Sequence, residues 1–149
     1  MRLLVTGGAG FVGSALCLMA KRSGLADAVV ALDNLKRRGS ERNIPLLQAE
    51  GVRFVHGDVR SPDDFAATGG TFDLAIDAAA EPSVLAGTDG DGIRYLFDTN
   101  LLGTLNLLEF CRRRAGSLIF LSSSRVYSIR ALRDIRLREG ETRLHPAGE

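Results

Sequence analysis

"TGGAGFVG", Thr6 to Gly13, follows the apolar run Leu3-Leu4-Val5 and places four glycines in eight positions. A tight turn needs one or two such residues. The run before it is nearly continuous in apolar character, as in a strand, and the stretch from about 11 to 23 has a helical period. The glycines therefore lie at a strand-to-helix turn, spaced Gly7-x-x-Gly10-x-x-Gly13. Glycine in such a turn removes the Cβ that would block a close approach to the backbone.

The same alternation continues along the chain. Short runs rich in valine, leucine and isoleucine occur at 2–6, 28–32, 52–56, 72–76 and 117–121. Each is expected as a parallel strand covered on both faces. Helical segments are expected at about 11–23, 40–49, 62–68 and 90–114. The last carries Leu101, Leu105, Leu108 and Cys111 at helical spacing and ends in Arg112 to Arg114, cations that suit the negative end of a helix dipole. Strand-helix alternation predicts an α/β fold, a Rossmann-type doubly wound parallel sheet in three α/β/α layers with strand order 3-2-1-4-5. The stretch 129–149 is rich in arginine and poor in apolar residues, and reads as a loop or partly disordered tail after a domain over 1–128.

Bulk properties narrow the class. A chain of 149 residues fits one domain, and such a chain buries roughly 70% of its unfolded surface. With 45% hydrophobic and 25% charged residues it is globular in composition. A net charge of +1 gives no reason to expect nucleic acid or an anionic membrane as partner. No apolar run reaches the length of a membrane span, so a cytosolic address is expected. Cys17 and Cys111 are far apart and lack metal-site clustering, which reads as two buried small hydrophobes on helices, with a disulfide or reactive thiol as the alternative. No metal site is expected.

The glycine spacing is related to the dinucleotide fingerprint, with one extra residue between the first two glycines. Gly7 permits the turn, Gly10 leaves room for a pyrophosphate, and Gly13 lets the helix lie close to the sheet. The amides at the helix start, at Phe11, Val12 and Gly13, then face the phosphates. A bare strand-helix turn is the plain alternative, and Asp33 argues against it. It stands twenty residues after Gly13, beside Asn34 and directly behind "AVVAL". A carboxylate there accepts from ribose hydroxyls and repels a 2′-phosphate, which favours NAD; the neighbouring Lys36, Arg37 and Arg38 keep NADP open.

"HGDVR", His56 to Arg60, is a third signal. Asp58 is placed to receive the adenine amino group and the Val59 amide to meet a ring nitrogen, unless Asp58 is a helix cap or loop carboxylate. His56 reads as a strand residue. "DAAAEPSV" (77–84) is a fourth: Ala78, Ala79 and Ala80 make a small-residue floor on which a cofactor lies flat.

With "TGGAGFVGS", "LDNL", "HGDVR", "NLLGTLNLLE" and "SSSRVYS" in order, the chain resembles the extended short-chain dehydrogenase/reductase family, specifically its NAD-dependent nucleotide-sugar epimerases and dehydratases. The phrases "DNLKRRGSERN" and "SSSRVYSI" look most like the CDP-paratose (CDP-tyvelose) 2-epimerase branch. The resemblance implies a bound NAD that takes a hydride from a sugar hydroxyl and returns it after the sugar has rotated, epimerised or lost water. It implies that Ser123 helps hold the reacting oxygen, Ser122 lies on the nicotinamide side, and Asn100 supports the region through hydrogen bonds. It also implies a nucleotide-diphosphate sugar as substrate of the full-length enzyme; a homodimer or other self-association is expected.

Three departures accompany it. The family's acid/base tyrosine stands in Tyr-x-x-x-Lys, but Tyr95 and Tyr127 have no lysine at the fourth following position, and Lys21 and Lys36 both precede residue 40. Asp77 replaces a common histidine, and Glu81 puts negative charge near the expected nicotinamide end. The expectation is an N-terminal fragment without its sugar-gripping lobe, inactive alone, whose last strand leaves an exposed edge prone to self-association. A stand-alone NAD-binding or sensing module is the alternative.

Overall fold

The computed structural model describes residues 1–83, 92–123 and 127–147. Val84, residues 90 and 91 of the helix expected over 90–114, and 124–126 within "SSSRVYS" lie outside them.

Five parallel strands form one sheet: β1 (Arg2–Thr6), β2 (Ala28–Asp33), β3 (Arg53–His56), β4 (Phe72–Asp77) and β5 (Ala115–Phe120), in the order β3-β2-β1-β4-β5. The winding reverses between β1 and β4, as the sequence predicts. Register brings Thr6 opposite Leu32 and Asp77, and Asp77 opposite Phe120, so these residues end their strands at one level.

Strand residues alternate between two cores. Leu3, Val5, Val29 and Ala31 face α1 (Phe11–Arg22) and α2 (Ile44–Ala49), meeting Cys17, Ala20 and Leu47. Leu4, Val30, Leu32 and Ala75 face the other layer, meeting Phe65 of a 3-10 helix (Pro62–Thr68) and Leu107 and Cys111. Phe65 stacks on Phe110 at a centroid distance of 5.2 Å, locking the 3-10 helix to the helix across it. Both cysteines are free and buried.

The long helical segment has three parts: α3 (Ile93–Phe97), one π-helical turn (Asp98–Leu102) and α4 (Gly103–Arg114). Its buried face is Thr99, Gly103, Leu107 and Cys111. Of the four apolar residues that mark the helix in the sequence, only Cys111 is buried; Leu101, Leu105 and Leu108 are exposed. Gly103 explains which face turns in. A Cβ there would lie 2.7 Å from Val59 Cγ2, so the backbone of this face packs closely on the loop after β3.

β5 differs from the expectation of two covered faces. It is the sheet edge, and Ile119 and Phe120 are about half exposed. The stretch expected as loop carries α5 (Ile129–Arg133) and an antiparallel hairpin of β6 (Leu137–Glu139) and β7 (Leu144–Pro146). Ser128 Oγ caps α5 by accepting from the Ala131 amide at 3.3 Å. These elements need only local backbone bonds, and nearly all their side chains are exposed, so the apolar-poor composition gives no sign of them.

Candidate functional site

The turn after β1 is built around two glycines. Gly7 has φ of +62°, and a Cβ on it would meet the Ala78 carbonyl oxygen at 2.6 Å. A Cβ on Gly13 would collide with the Gly7 carbonyl oxygen, so the first turn of α1 lies directly on the loop. Gly10 precedes the helix in an extended conformation, and no side chain caps it. The side chains of Phe11 and Val12 are exposed, and no side chain caps the amides of that first turn.

A cavity of about 480 Å³ opens there, at the carboxyl ends of β1, β2 and β4. Gly7 and Gly10 line one side, Asp33 and Asn34 the next, and Val59 with Ala78, Ala79 and Ala80 the remainder. Eight residues expected from the sequence thus meet around one space. This is the crevice where the winding reverses and where open parallel sheets take ligands.

Asp33 is fixed by two backbone donors. The Ala9 amide donates to Oδ2 at 3.1 Å and the Leu35 amide to Oδ1 at 2.8 Å. Leu35 takes a left-handed conformation, φ 55°, in this turn. Each carboxylate oxygen keeps a further acceptor position. Lys36, Arg37 and Arg38 line the same rim.

Asp58 is in a different state. Its Oδ1 accepts from the Arg60 amide and Arg60 Nε, both at 2.9 Å; its Oδ2 accepts from Arg60 Nη2 at 2.7 Å and Asn34 Nδ2 at 2.9 Å. The Arg60 guanidinium, aided by Asn34, holds the carboxyl down at about 2 against a partial burial cost. The side chain of Asp58 does not line the cavity, although Gly57 and Val59 on either side do. His56 lies in β3, its Nε2 3.2 Å from the Asn34 carbonyl oxygen.

Asn100 grips the chain beyond β4. Its Oδ1 accepts from the Glu81 amide at 2.7 Å and its Nδ2 donates to the Glu81 carbonyl at 3.2 Å. Ser122 and Ser123 follow Phe120 on the exposed edge strand and do not line the cavity.

Three residues at the site have contacts or a place that the sequence pattern does not give. Asp77, 4% exposed, accepts from Thr6 Oγ1 at 2.6 Å, from Thr104 Oγ1 at 3.2 Å and from the Ala79 amide at 3.3 Å. It ties β1, β4 and α4 together beneath the cavity. Thr99 is 5% exposed, lines the cavity, and its Oγ1 has no partner among the described residues. Such a buried orphan hydroxyl asks for a polar ligand atom. Tyr95, one helical turn earlier, also lines the cavity. Tyr95 and Thr99 stand at i and i+4 in a stretch whose apolar pattern draws attention to the leucines instead.

The cleared cradle at Gly7, Gly10 and Gly13 and the orphan hydroxyl of Thr99 fit a dinucleotide. Among the described residues no group of three His, Cys, Asp or Glu side chains is placed to hold a metal, and no helix is long and apolar enough to cross a membrane.

Comparison with known proteins agrees with this geometry. The profile of the NAD dependent epimerase/dehydratase family matches residues 3–146. CDP-paratose 2-epimerase of Salmonella typhi is 35% identical over 152 aligned positions, covering 96% of this chain and 42% of that protein. A dTDP-glucose 4,6-dehydratase of Mycobacterium tuberculosis is 34% identical, covering 85% of this chain and 38% of its own length. Among solved structures, a double-mutant dTDP-glucose 4,6-dehydratase of Streptomyces venezuelae with NAD bound superposes with a TM-score of 0.73 at 35% identity, over 85% of this chain and 41% of that one. The UDP-glucose 4-epimerase of Thermus thermophilus in complex with NAD gives 0.61 at 38% identity, over 76% and 34%. This chain spans about two fifths of the length of the two sequence relatives.

Proposed function

We propose that this chain, which belongs to the NAD dependent epimerase/dehydratase family, is the NAD-holding part of a nucleotide-sugar epimerase or dehydratase. The observation that carries the reading is the cavity where Gly7, Gly10 and the uncapped start of α1 stand across from Asp33. The amides of Phe11, Val12 and Gly13 take the diphosphate, with the positive end of the helix dipole behind them. The free acceptor positions of Asp33 take the ribose hydroxyls. Ala78 to Ala80 form the floor toward the nicotinamide, and Asn100 steadies the chain just past it through Glu81.

Bound at this site, NAD supplies the acceptor and donor of a hydride for a sugar hydroxyl. Ser123 holds the reacting oxygen and Ser122 borders the nicotinamide. What supports those roles is their position just past Phe120, which is level with Asp77 and Thr6 at the same sheet edge as the cavity. The substrate class is a sugar joined to a nucleoside diphosphate, the feature shared by the names of the relatives. None of the tyrosines here carries the lysine that would lower its pKa to act as base. These residues alone therefore bind NAD without turning over a sugar.

Titration of the chain with NAD and NADP by calorimetry tests the reading. NAD is expected to bind more tightly than NADP. Asp33→Ala is expected to weaken NAD about tenfold or more, from hydrogen bonds to a charged acceptor, and to narrow the preference. An unchanged preference removes Asp33 from the site.

A further inference from the structure

We infer that Asp77 is a positioning residue for the cofactor: through Thr104 it holds the π-helical turn that aims the Thr99 hydroxyl into the cavity. This role rests on the cofactor reading above, because Thr99 needs a polar ligand atom to meet.

The connection runs bond by bond. Asp77 ends β4 beneath the cavity, and its Oδ1 accepts from Thr6 Oγ1 and the Ala79 amide. Its Oδ2 accepts from Thr104 Oγ1, in the first turn of α4, at 3.2 Å. The same hydroxyl lies 3.2 Å from the Asn100 carbonyl oxygen, inside the π-helical turn. Its single proton is thus shared between a buried carboxylate and a carbonyl of that turn. The carboxylate is the stronger acceptor of the two and keeps Thr104 turned toward the sheet. A neutral histidine in place of Asp77 would offer one acceptor nitrogen, too few for Thr6, Ala79 and Thr104 together. The three-way tie therefore belongs to the aspartate of this chain.

The turn depends on such an anchor. Its backbone pairs five residues apart, the Gly103 amide donating to the Asp98 carbonyl, a spacing that is rare and found mostly at functional sites. Thr99 stands in this turn next to Asn100. It is buried on the cavity wall, and its Oγ1 has no partner among the described residues. No bond of its own orients that hydroxyl, so the backbone of the turn does. The backbone is tied at Asn100 from two sides, by its carbonyl to Thr104 and by its side chain to Glu81. The Glu81 bonds are open to water, whereas the Thr104 tie ends on a carboxylate only 4% exposed.

Calorimetric titration with NAD of the unaltered chain, Thr99→Val, Thr104→Val and the double variant tests this, with urea unfolding of each alongside. Thr104→Val is expected to weaken NAD about fivefold, the size of one lost hydrogen bond, and Thr104→Ser to stay within about twofold of the original. In the Thr99→Val chain, removing the Thr104 hydroxyl is expected to change NAD affinity by less than about twofold, because Thr104 acts through Thr99. A merely structural loss would cost the same factor in both backgrounds. Asp77→Asn, which leaves one acceptor oxygen for three donors, is expected to weaken NAD by a similar factor and to add nothing in the Thr104→Val chain. If Thr104→Val binds NAD as tightly as the original, or if the losses from Thr99→Val and Thr104→Val multiply in the double variant, the role of Asp77 is overturned while the cofactor site stands. An Asp77→Asn loss that persists undiminished in the Thr104→Val chain also overturns it. Should Asp77→Asn fail to fold, the Thr99 and Thr104 comparison decides alone. An unaltered chain that does not bind NAD overturns the cofactor reading and this role with it.

Discussion

Asp77 shows how much one side chain sets at the residue scale. It is the acceptor for Thr6, which is fully buried, and for Thr104 on the opposite layer. Asp77→Ala leaves the Thr6 hydroxyl without its acceptor, and unfolding by urea is expected to show a loss of about 1–3 kcal/mol. Asp58 gives a pH signature. Its carboxyl is depressed from 3.8 to about 2, chiefly by the Arg60 side chain, so the pair's contribution to stability is complete above pH 3.8 and lost as pH falls through about 2. Asp58→Asn is expected to flatten that acid slope in urea melts taken between these limits. Burial pushes the Cys17 thiol up to about 12, and burial together with the Asp77 charge pushes Cys111 up to about 11. Both are expected to resist alkylation near neutral pH until urea exposes them. The residue roles that were legible from sequence are those in which a type is needed by geometry, Gly7 and Gly13 above all. The tying role of Asp77 and the place of Thr99 are not, because their meaning lies in partners 71 and 27 residues away or in the lack of one.

Elements are legible in the sequence where a pattern admits one answer. Five apolar runs separated by helical stretches gave the strands and their order, because right-handed crossovers leave few alternatives. The long helix was harder. A period near 3.6 fits a face through Leu101, Leu105 and Leu108 as well as one through Gly103, Leu107 and Cys111, and only the approach of Gly103 to Val59 decides between them. The two faces differ in consequence. Leu107→Ala empties a fully buried position and is expected to cost about 2–5 kcal/mol. Leu105→Ala, on the exposed face, is expected to change monomer stability by less than about 0.5 kcal/mol. Equal losses in chemical unfolding would mean that the outer face is packed in solution. The helix and hairpin after residue 128 leave no pattern in the sequence because they close on their own backbone and bury almost nothing.

At the scale of the whole molecule, two apolar surfaces lie open side by side. One is the edge strand β5 with Ile119 and Phe120; the other is the outer face of α4 with Leu105 and Leu108. An unpaired strand edge beside apolar side chains recruits a second chain. Light scattering is expected to show self-association that rises with concentration, and β5 amides to exchange more slowly as it does. A monomer at all concentrations with those amides exchanging freely would contradict this. The bare turn at Gly7 to Gly13 is proposed to seat a dinucleotide's diphosphate on the start of α1, and amide resonances followed by NMR during titration with NAD decide it. The amides of Gly10, Phe11, Val12 and Gly13 are expected to move furthest and to saturate at one NAD per chain. NAD that binds while those four amides stay still, or that never binds at saturating dose, would contradict the claim.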